Sequence, residues 1–131
     1  MYNGKNIIKA TSQLISSYAF DTALNFICQN SDYGYELATT TSSDRANIGT
    51  GTKIKTGEYV ADCYSNIYDL IGNCYGWTTE YSSNTNSNGS WPCVTRGGGY
   101  YYKTDSASHR GHNTTDNSRD YCAFRVQLYI K

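Results

Sequence analysis

A long polar segment between two strand patterns constrains the fold of this chain more than any other feature. Residues 99–121 show neither helical nor strand periodicity, and they consist mainly of Tyr, Asn, Asp, Ser, Gly, His and Thr. Residues 91–96 precede the segment as a predicted strand that runs into three glycines, and residues 122–130 follow it as the last predicted strand. Because so long a loop is uncommon in a compact domain, its ends must be held by a rigid frame.

The strand patterns on either side predict which residues face the core. The last strand alternates most clearly, with Phe124, Val126, Leu128 and Ile130 expected inward and Arg125, Gln127 and Tyr129 outward. An earlier strand is expected after a turn at Gly72 and Asn73. Its two expected faces are Cys74, Gly76 and Thr78 on one side, and Tyr75, Trp77 and Thr79 on the other. Trp77 and Phe124 are the large residues that a small core needs.

A helix is expected to begin near Ser17. One helical face repeats at i, i+3, i+4 and i+7, and its residues are Phe20, Ala23, Leu24 and Ile27. Ser16 or Ser17 can cap the helix through a side-chain oxygen. Residues 39–57 are rich in Thr, Ser and Gly, and we expect a long surface loop or irregular strands there.

Length and charge limit the classes of partner. The 131 residues suit one compact domain, so we expect residues 1–131 to form a single domain or the C-terminal part of a longer protein. The 11 basic residues balance the 11 acidic ones, which leaves no basic footprint for nucleic acid. No apolar run approaches the roughly 20 residues of a membrane span, and no secretory signal is visible at the N-terminus. We expect neither a nucleic-acid partner nor membrane insertion.

The five cysteines, at positions 28, 63, 74, 93 and 122, do not form a metal-site pattern. No two make a C-x-x-C pair, and their spacings do not match a zinc site. The odd count argues against a complete disulfide framework. We interpret most of them as small buried hydrophobes, with one or two disulfides left open if the protein is extracellular.

Three stretches carry a family resemblance. Residues 68–78 read YDLIGNCYGWT, similar to Y-D-[LM]-x-G-N-V-x-E-W-T; residues 96–100 read RGGGY, similar to R-G-G-[SN]-[YW]. Ser108 and Arg110 lead to residues 123–126, AFRV, similar to S-x-R followed by G-F-R-V. In this order and spacing they resemble the formylglycine-generating-enzyme (sulfatase-modifying factor) family. Cys74, Gly76 and Ala123 depart from the pattern, which has Val, Glu and Gly at those positions.

The resemblance implies an α+β, C-type-lectin-like fold with few short helices, twisted antiparallel strands and long loops. The residues themselves agree with such a frame. Gly72 and residues 97–99 can supply positive φ or close backbone approach. Arg96 and Arg125 flank the polar segment and could tie it down by bonding carbonyl groups or an Asp.

The catalytic features of the family are missing. The family's oxidases use two cysteines after the R-G-G motif together with copper, and these positions fall at about Tyr102 and Ala107, which supply no thiolate. Related iron-dependent sulfoxide synthases need three histidines, whereas this chain has only His109 and His112. The E-P-N, Q-P-D and W-N-D signatures of calcium-dependent sugar binding do not occur. We therefore expect a non-catalytic domain with no cofactor and no metal.

The polar segment also resembles the variable region of proteins diversified by retroelements, in which mutagenesis at adenines scatters Asn codons into Tyr, Asp, His, Ser and Gly. On this interpretation Ser108, Arg110 and Ser118 are fixed residues between the variable ones. The expected ligand-binding residues are Gly99, Tyr101, Tyr102, Asp105, His109, Gly111, His112, Asn113, Asp116, Asp120 and Tyr121. Three of the tyrosines would be rigid contact residues, and the small polar side chains would supply adaptable hydrogen bonds. The alternative is an ordinary hydrophilic surface loop.

These features together predict a binding module. The main hypothesis is a retroelement-diversified adhesin or display protein, located on a phage tail or on a bacterial cell surface, that recognises a protein or glycan receptor. Multivalent display, for example as a homotrimer, would strengthen weak single contacts. Two alternatives from other classes stay open. They are a divergent oxidoreductase of the formylglycine-generating type and a structural decoration domain of a virion.

Overall fold

A computed structural model describes residues 10–82, 91–114 and 118–130. These residues form a small mixed α+β domain with two α-helices and several short strands, most of them paired antiparallel. In chain order the elements are β1 (Ala10–Leu14), α1 (Ser17–Gln29), α2 (Glu36–Thr39), a 3₁₀ turn (Val60–Asp62), β2 (Cys63–Tyr64), β3 (Ile67–Tyr68), β4 (Tyr75–Tyr81), β5 (Cys93–Arg96), β6 (Gly111–Asn113), β7 (Cys122–Phe124) and β8 (Val126–Ile130). The α+β class predicted from the sequence is confirmed.

The predicted helix is present as α1. The Ser16 side chain caps it by accepting a hydrogen bond from the Ala19 amide at 3.1 Å. Phe20, Leu24 and Ile27 are buried, as their spacing predicted. They meet a core to which distant parts of the chain contribute Leu37, Ala46, Ile48, Leu70, Ile71 and Ala107.

Part of the predicted surface loop lies in this core. Residues 39–57 form no regular strand, but Ala46, Asn47 and Ile48 are buried. The Asn47 amide donates to both carboxylate oxygens of Asp62 at 2.8 and 3.0 Å, and an isolated bridge joins Asn47 to Gly72. Most of residues 39–57 lie at the surface, as predicted, but residues 46–48 are in the core, where side-chain acceptors and one bridge satisfy their backbone.

The main sheet has four strands in the order β6-β5-β4-β7. β5 pairs antiparallel with both β4 and β6, whereas β7 pairs parallel with β4. β4 has a register shift between Trp77 and Tyr81. Tyr75 and Thr78, which were assigned to opposite faces, are both buried because β4 is an inner strand of the sheet.

The segment predicted as one last strand, residues 122–130, forms two strands that belong to two different sheets. β7 is an edge of the four-stranded sheet, and β8 pairs with β1. Phe124 is 71% exposed and Val126 63%, whereas Arg125 and Gln127 are partly covered. The inward and outward assignments of these four residues, and Phe124 as a core residue, were therefore wrong. The strand changes sheets at Arg125, so its alternation does not follow one buried face. The predicted orientations of Leu128, Tyr129 and Ile130 lie outside the side chains that the structure describes.

Two further features of the described residues bear on the predictions. All five cysteines are free; Cys28 is buried, and the other four are partly buried. Burial raises the pKa of Cys122 to about 11, so its thiol is protonated at neutral pH. None of the helices described above is both long enough and apolar enough to cross a membrane.

Candidate binding site

The frame around the polar segment begins at a buried arginine. The Arg96 side chain is 2% exposed, forms an ion pair with Asp21 of α1, and lies 5.0 Å from the ring centroid of Phe20. Arg125, which follows the other end of the segment, donates a hydrogen bond to the Tyr68 carbonyl. These contacts confirm that the two arginines bond an Asp and a carbonyl.

The glycine turn after β5 ties the segment to the core. Gly97 and Gly98 have φ values of 103° and 69°, and a Cβ on Gly97 would lie 2.9 Å from the Leu70 carbonyl oxygen. The Gly97 amide donates to the Ala107 carbonyl at 3.2 Å, and Ala107 is fully buried. The segment therefore leaves the sheet at the glycine turn, returns to the side of that turn at Ala107, and rejoins the sheet at β6.

Three predicted contact tyrosines come together on this frame. The ring centroid of Tyr101 lies 4.8 Å from that of Tyr102 and 5.4 Å from that of Tyr121. The centroids of Tyr102 and Tyr121 are 6.2 Å apart. Tyr101 is 56% exposed, Tyr102 45% exposed, and Tyr121 partly buried. The three rings share one surface, mostly in edge-to-face contact.

A fourth tyrosine, Tyr75, is buried and contacts two of these rings from the protein interior. Tyr75 is 3% exposed, and its ring centroid lies 6.4 Å from Tyr102 and 6.0 Å from Tyr121. Its hydroxyl donates to Asp105 Oδ2 at 2.9 Å. Burial, followed by the contact with Asp105, raises the pKa of Tyr75 well above its usual range, so the hydroxyl remains a donor. We call Tyr75, Tyr101, Tyr102 and Tyr121 the tyrosine cluster.

A groove of about 380 Å³ lies beside the tyrosine cluster. We call it the loop groove. Its lining consists of Tyr75, Trp91, Thr95, Tyr102, Asp105, His109, Gly111, His112, Asn113, Arg119 and Tyr121. Most of the predicted ligand-binding residues therefore line a single concave surface. Its volume falls in the range of small-ligand sites.

The polar side chains of the loop groove differ in how firmly they are held. His112 Nδ1 lies 2.7 Å from the Ser82 hydroxyl. His109 Nε2 lies 3.7 Å from Asp105 Oδ2. Asn113 is 5% exposed, and its amide donates to the Cys122 sulfur at 3.5 Å. The two histidines are exposed and face the solvent side of the groove, while Asn113 is part of its floor.

Two of the predicted residues are glycines in crowded positions. A Cβ on Gly99 would lie 2.8 Å from Cε2 of Tyr75, and a Cβ on Gly111 would lie 2.6 Å from the Thr95 hydroxyl. Both distances are shorter than real Cβ contacts. Packing therefore explains the glycines, and their contribution to binding would come through the backbone.

The remaining predicted residues lie outside the groove lining. Tyr101 is at the rim, within the tyrosine cluster. Asp120 is exposed, and its carbonyl accepts a hydrogen bond from Lys53 Nζ at 3.2 Å. Asp116 lies outside the described residues. Among the residues predicted as fixed, Arg110 bonds Glu80 and Asp21, whereas Ser108 and Ser118 are exposed.

Sequence reasoning missed four residues of the groove: Tyr75, Trp91, Thr95 and Arg119. Trp91 is 38% exposed, and the Arg119 guanidinium lies 5.8 Å from the centroid of Tyr121. A tryptophan at the start of the predicted strand 91–96 and an arginine two positions before a predicted contact tyrosine were the available sequence signals. Tyr75 and Thr95 gave none, because only the sheet pairing brings them under the loop.

The site combines aromatic rings with scattered donors and acceptors. Such a surface can stack on a flat or apolar partner while the histidines, Asn113 and Arg119 make hydrogen bonds. Within residues 10–82, 91–114 and 118–130, no three His, Cys, Asp or Glu side chains are grouped in a way that could hold a metal ion.

No protein-family model matches the chain, and no curated protein is significantly similar to it. Membership of the family suggested by the three sequence motifs therefore stays a prediction.

Proposed function

We propose that this domain is a non-catalytic recognition module that binds a protein or glycan receptor on a cell surface through the tyrosine cluster and the loop groove. The observation that carries the proposal is the gathering of Tyr101, Tyr102 and Tyr121 on one exposed surface beside the groove. Tyrosine offers a large amphipathic contact area and loses little side-chain entropy when it is fixed. The hydroxyls and nearby polar groups would give the interface its specificity.

The support beneath the tyrosine cluster strengthens this proposal. The Tyr75 hydroxyl is hydrogen-bonded to Asp105, and the backbone hydrogen bond between Gly97 and Ala107 fixes the segment. A contact surface that is ordered before binding pays less entropy on association. Exposed aromatic rings on a rigid base are therefore suited to recognition, and their exposure is not needed for folding.

We further propose that the fold is C-type-lectin-like, of the formylglycine-generating-enzyme kind. The support is that the three motifs of the resemblance meet in space. The Gly72 amide of the first motif donates to the Gly97 carbonyl of the second at 2.7 Å. Gly76 of the first pairs with Ala123 of the third. An experimental structure with a different strand order would contradict this proposal.

Retroelement diversification is the third part of the proposal. Tyr101, Tyr102, His109, His112 and Asp120 have exposed side chains, so replacement would disturb little packing. The neighbouring DNA tests this part directly. We expect a reverse-transcriptase gene and an adenine-rich second copy of the codons for residues 96–125. A neighbourhood with neither would contradict diversification and leave the binding proposal intact.

Binding itself can be tested with glycan arrays and panels of bacterial cells, as expected for a module on a phage tail or a bacterial surface. The double variant Tyr101→Ala/Tyr102→Ala should lose binding by about tenfold or more, because buried tyrosines dominate many interfaces. Tyr18→Ala is the matched control: Tyr18 is 83% exposed on α1 and belongs to neither the tyrosine cluster nor the loop groove. Equal binding by both variants would contradict the proposed surface.

The absence of catalysis needs a separate experiment. The protein should leave a cysteine-containing sulfatase peptide unchanged in the presence of copper, as followed by mass spectrometry. Conversion of the cysteine to an aldehyde would establish an oxidoreductase instead.

A further inference from the structure

A second cavity lies beneath the main sheet, away from the tyrosine cluster. It has a volume of about 320 Å³, and Gly76, Arg96 and Ala123 form its wall. Gly76 on β4 has Arg96 of β5 and Ala123 of β7 as its cross-strand partners. Tyr75, the preceding residue, lines the loop groove. The two concave sites therefore use successive residues of β4, which point to opposite faces of a strand. We call the second site the Arg96 cavity.

Arg96 has hydrogen-bonding capacity that the protein does not use. Its side chain is 2% exposed, and Nη2 is committed to Asp21. Its Nε and Nη1 have no hydrogen-bond partner in the part of the chain that the structure describes. A buried charged donor without an acceptor is strongly destabilising. The guanidinium therefore favours an acceptor that enters the cavity.

Gly76 creates the space for such an acceptor. Its φ lies outside the left-handed region, and a Cβ added to it would be 3.8 Å from its nearest neighbour, the Arg96 carbonyl oxygen. Neither backbone conformation nor crowding explains a glycine here, and glycine inside a strand often marks the close approach of a ligand. The chain thus has no side-chain carboxylate at the position that pairs with Arg96.

The charges around the Arg96 cavity favour an anion. Lys53 and Arg125 line it together with Arg96, against one lining carboxylate, Asp69. Asp69 is 8% exposed, and its Oδ1 has no hydrogen-bond partner among the described residues. When Asp21, the ion-pair partner of Arg96, is included, three cations face two carboxylates, so the cavity still has excess positive charge and one acceptor for a ligand donor. Phe20 also lines it and supplies apolar surface.

We propose that the Arg96 cavity binds a small organic carboxylate, whose carboxylate accepts hydrogen bonds from Nε and Nη1 of Arg96 and whose apolar part rests against Phe20. The cavity equals about ten water volumes, at about 30 Å³ each. Benzoate and butyrate are each smaller than this space, so either can enter the cavity as a probe. Recognition is charge-assisted, because donor and acceptor both carry charge.

The test is a titration of the full chain with sodium benzoate, followed by ¹H–¹⁵N NMR. We expect saturable shifts of the Gly76, Arg96 and Ala123 amides and no saturable shifts at Tyr101 and Tyr102. Benzamide, which has the same shape without the charge, should bind about tenfold more weakly or worse, as expected for loss of a charged hydrogen bond. Equal responses to the two probes, or no saturable shift with benzoate, would overturn the proposal. So would inorganic phosphate binding more tightly than benzoate.

Two variants assign the response to this cavity. Gly76→Glu supplies the carboxylate within the chain and should abolish benzoate binding while raising the melting temperature of the free protein. Thr79→Glu is the matched control, because it adds the same charge at an exposed position of β4 that does not line the cavity. If Gly76→Glu does not fold, Gly76→Ala takes its place, since the added methyl meets no close contact. Benzoate affinity unchanged in the folded Gly76 variant would overturn the proposal.

Discussion

The frame residues 96–100 and the exposed rings of Tyr101 and Tyr102 are adjacent in the chain but differ in burial and in the contacts that hold them. Arg96, Gly97 and Tyr100 are buried, and each makes a contact that a substitution would break. Tyr101 and Tyr102 follow at once and are largely exposed, with contacts chiefly to other tyrosines. The boundary between the buried residues that hold the fold and the exposed rings of the proposed binding surface therefore falls at one point of the backbone. Changes in the frame should lower the stability most, and changes at the exposed Tyr101 and Tyr102 should lower it least and alter mainly the proposed binding.

The largest expected effect is a pH dependence of stability that originates in the core. Asp62 is 1% exposed, and burial raises its pKa to about 7, against the opposing hydrogen bond from the Asn47 amide; nearby Asp69 adds to the rise. The unfolded state loses this proton near pH 4, while the folded state keeps it to about pH 7. Stability should therefore fall as pH rises through this window, by roughly 4 kcal/mol.

Urea unfolding at pH 5 and pH 8 measures the upper part of this window, over which the loss of stability should be roughly 2.5 kcal/mol. Asp62→Asn keeps an acceptor for the Asn47 amide but cannot ionise, so its stability should change much less between the two pH values. If the variant shows the same pH dependence as the original protein, Asp62 is not its source.

A substitution at the glycine turn should have the next largest effect. Gly97→Ala combines a positive φ with a Cβ that would lie 2.9 Å from the Leu70 carbonyl oxygen. We expect a loss of about 3 kcal/mol in unfolding free energy. Gly51→Ala is the matched control, because Gly51 has a φ of +81° but nothing within 4 Å of an added Cβ. The control should lose about 1 kcal/mol; equal losses would show that crowding at Gly97 is unimportant.

The hydroxyl of Tyr75 should have a smaller effect. Tyr75→Phe removes the donor to Asp105 and should lower the free energy of unfolding by about 1–2 kcal/mol. Tyr35→Phe removes a comparable hydrogen bond to Asn25, 2.6 Å long, at an exposed position, and should change stability by less than about 0.5 kcal/mol. Chemical unfolding of both variants decides whether Asp105 holds the base of the tyrosine cluster.

The smallest effect on stability is expected within the cluster itself. Tyr101→Ala should lower the unfolding free energy by about 1 kcal/mol or less, because the ring is mostly exposed. Tyr100→Ala, one position earlier, should lower it by about 3 kcal/mol, because that ring is 6% exposed. Similar losses of unfolding free energy for the two variants would show that Tyr100 and Tyr101 do not differ in their contribution to stability.

The sequence predicted best the features that depend on local rules. The spacing of Phe20, Leu24 and Ile27 and the Ser16 cap belong to one helix, so they could be found without tertiary information. The glycine turn and the bonding of the two arginines followed from residue chemistry. These features also supply most of the frame that holds the polar segment.

The features that failed depend on pairing between distant segments. Phe124 and Val126 alternate with polar residues, but the strand changes sheets at Arg125, so the alternation describes no single face. Tyr75 and Thr95 enter the loop groove only because β4 and β5 pass beneath it.

The most direct test of the account is NMR on protein with labelled tyrosine rings. We predict ring-to-ring nuclear Overhauser effects between Tyr101 and Tyr121, whose centroids are 5.4 Å apart. We also predict strong broadening of the Tyr101 and Tyr102 ring signals by a soluble paramagnetic probe. Rings that give no mutual effects, or that are protected from the probe, would contradict a shared exposed surface.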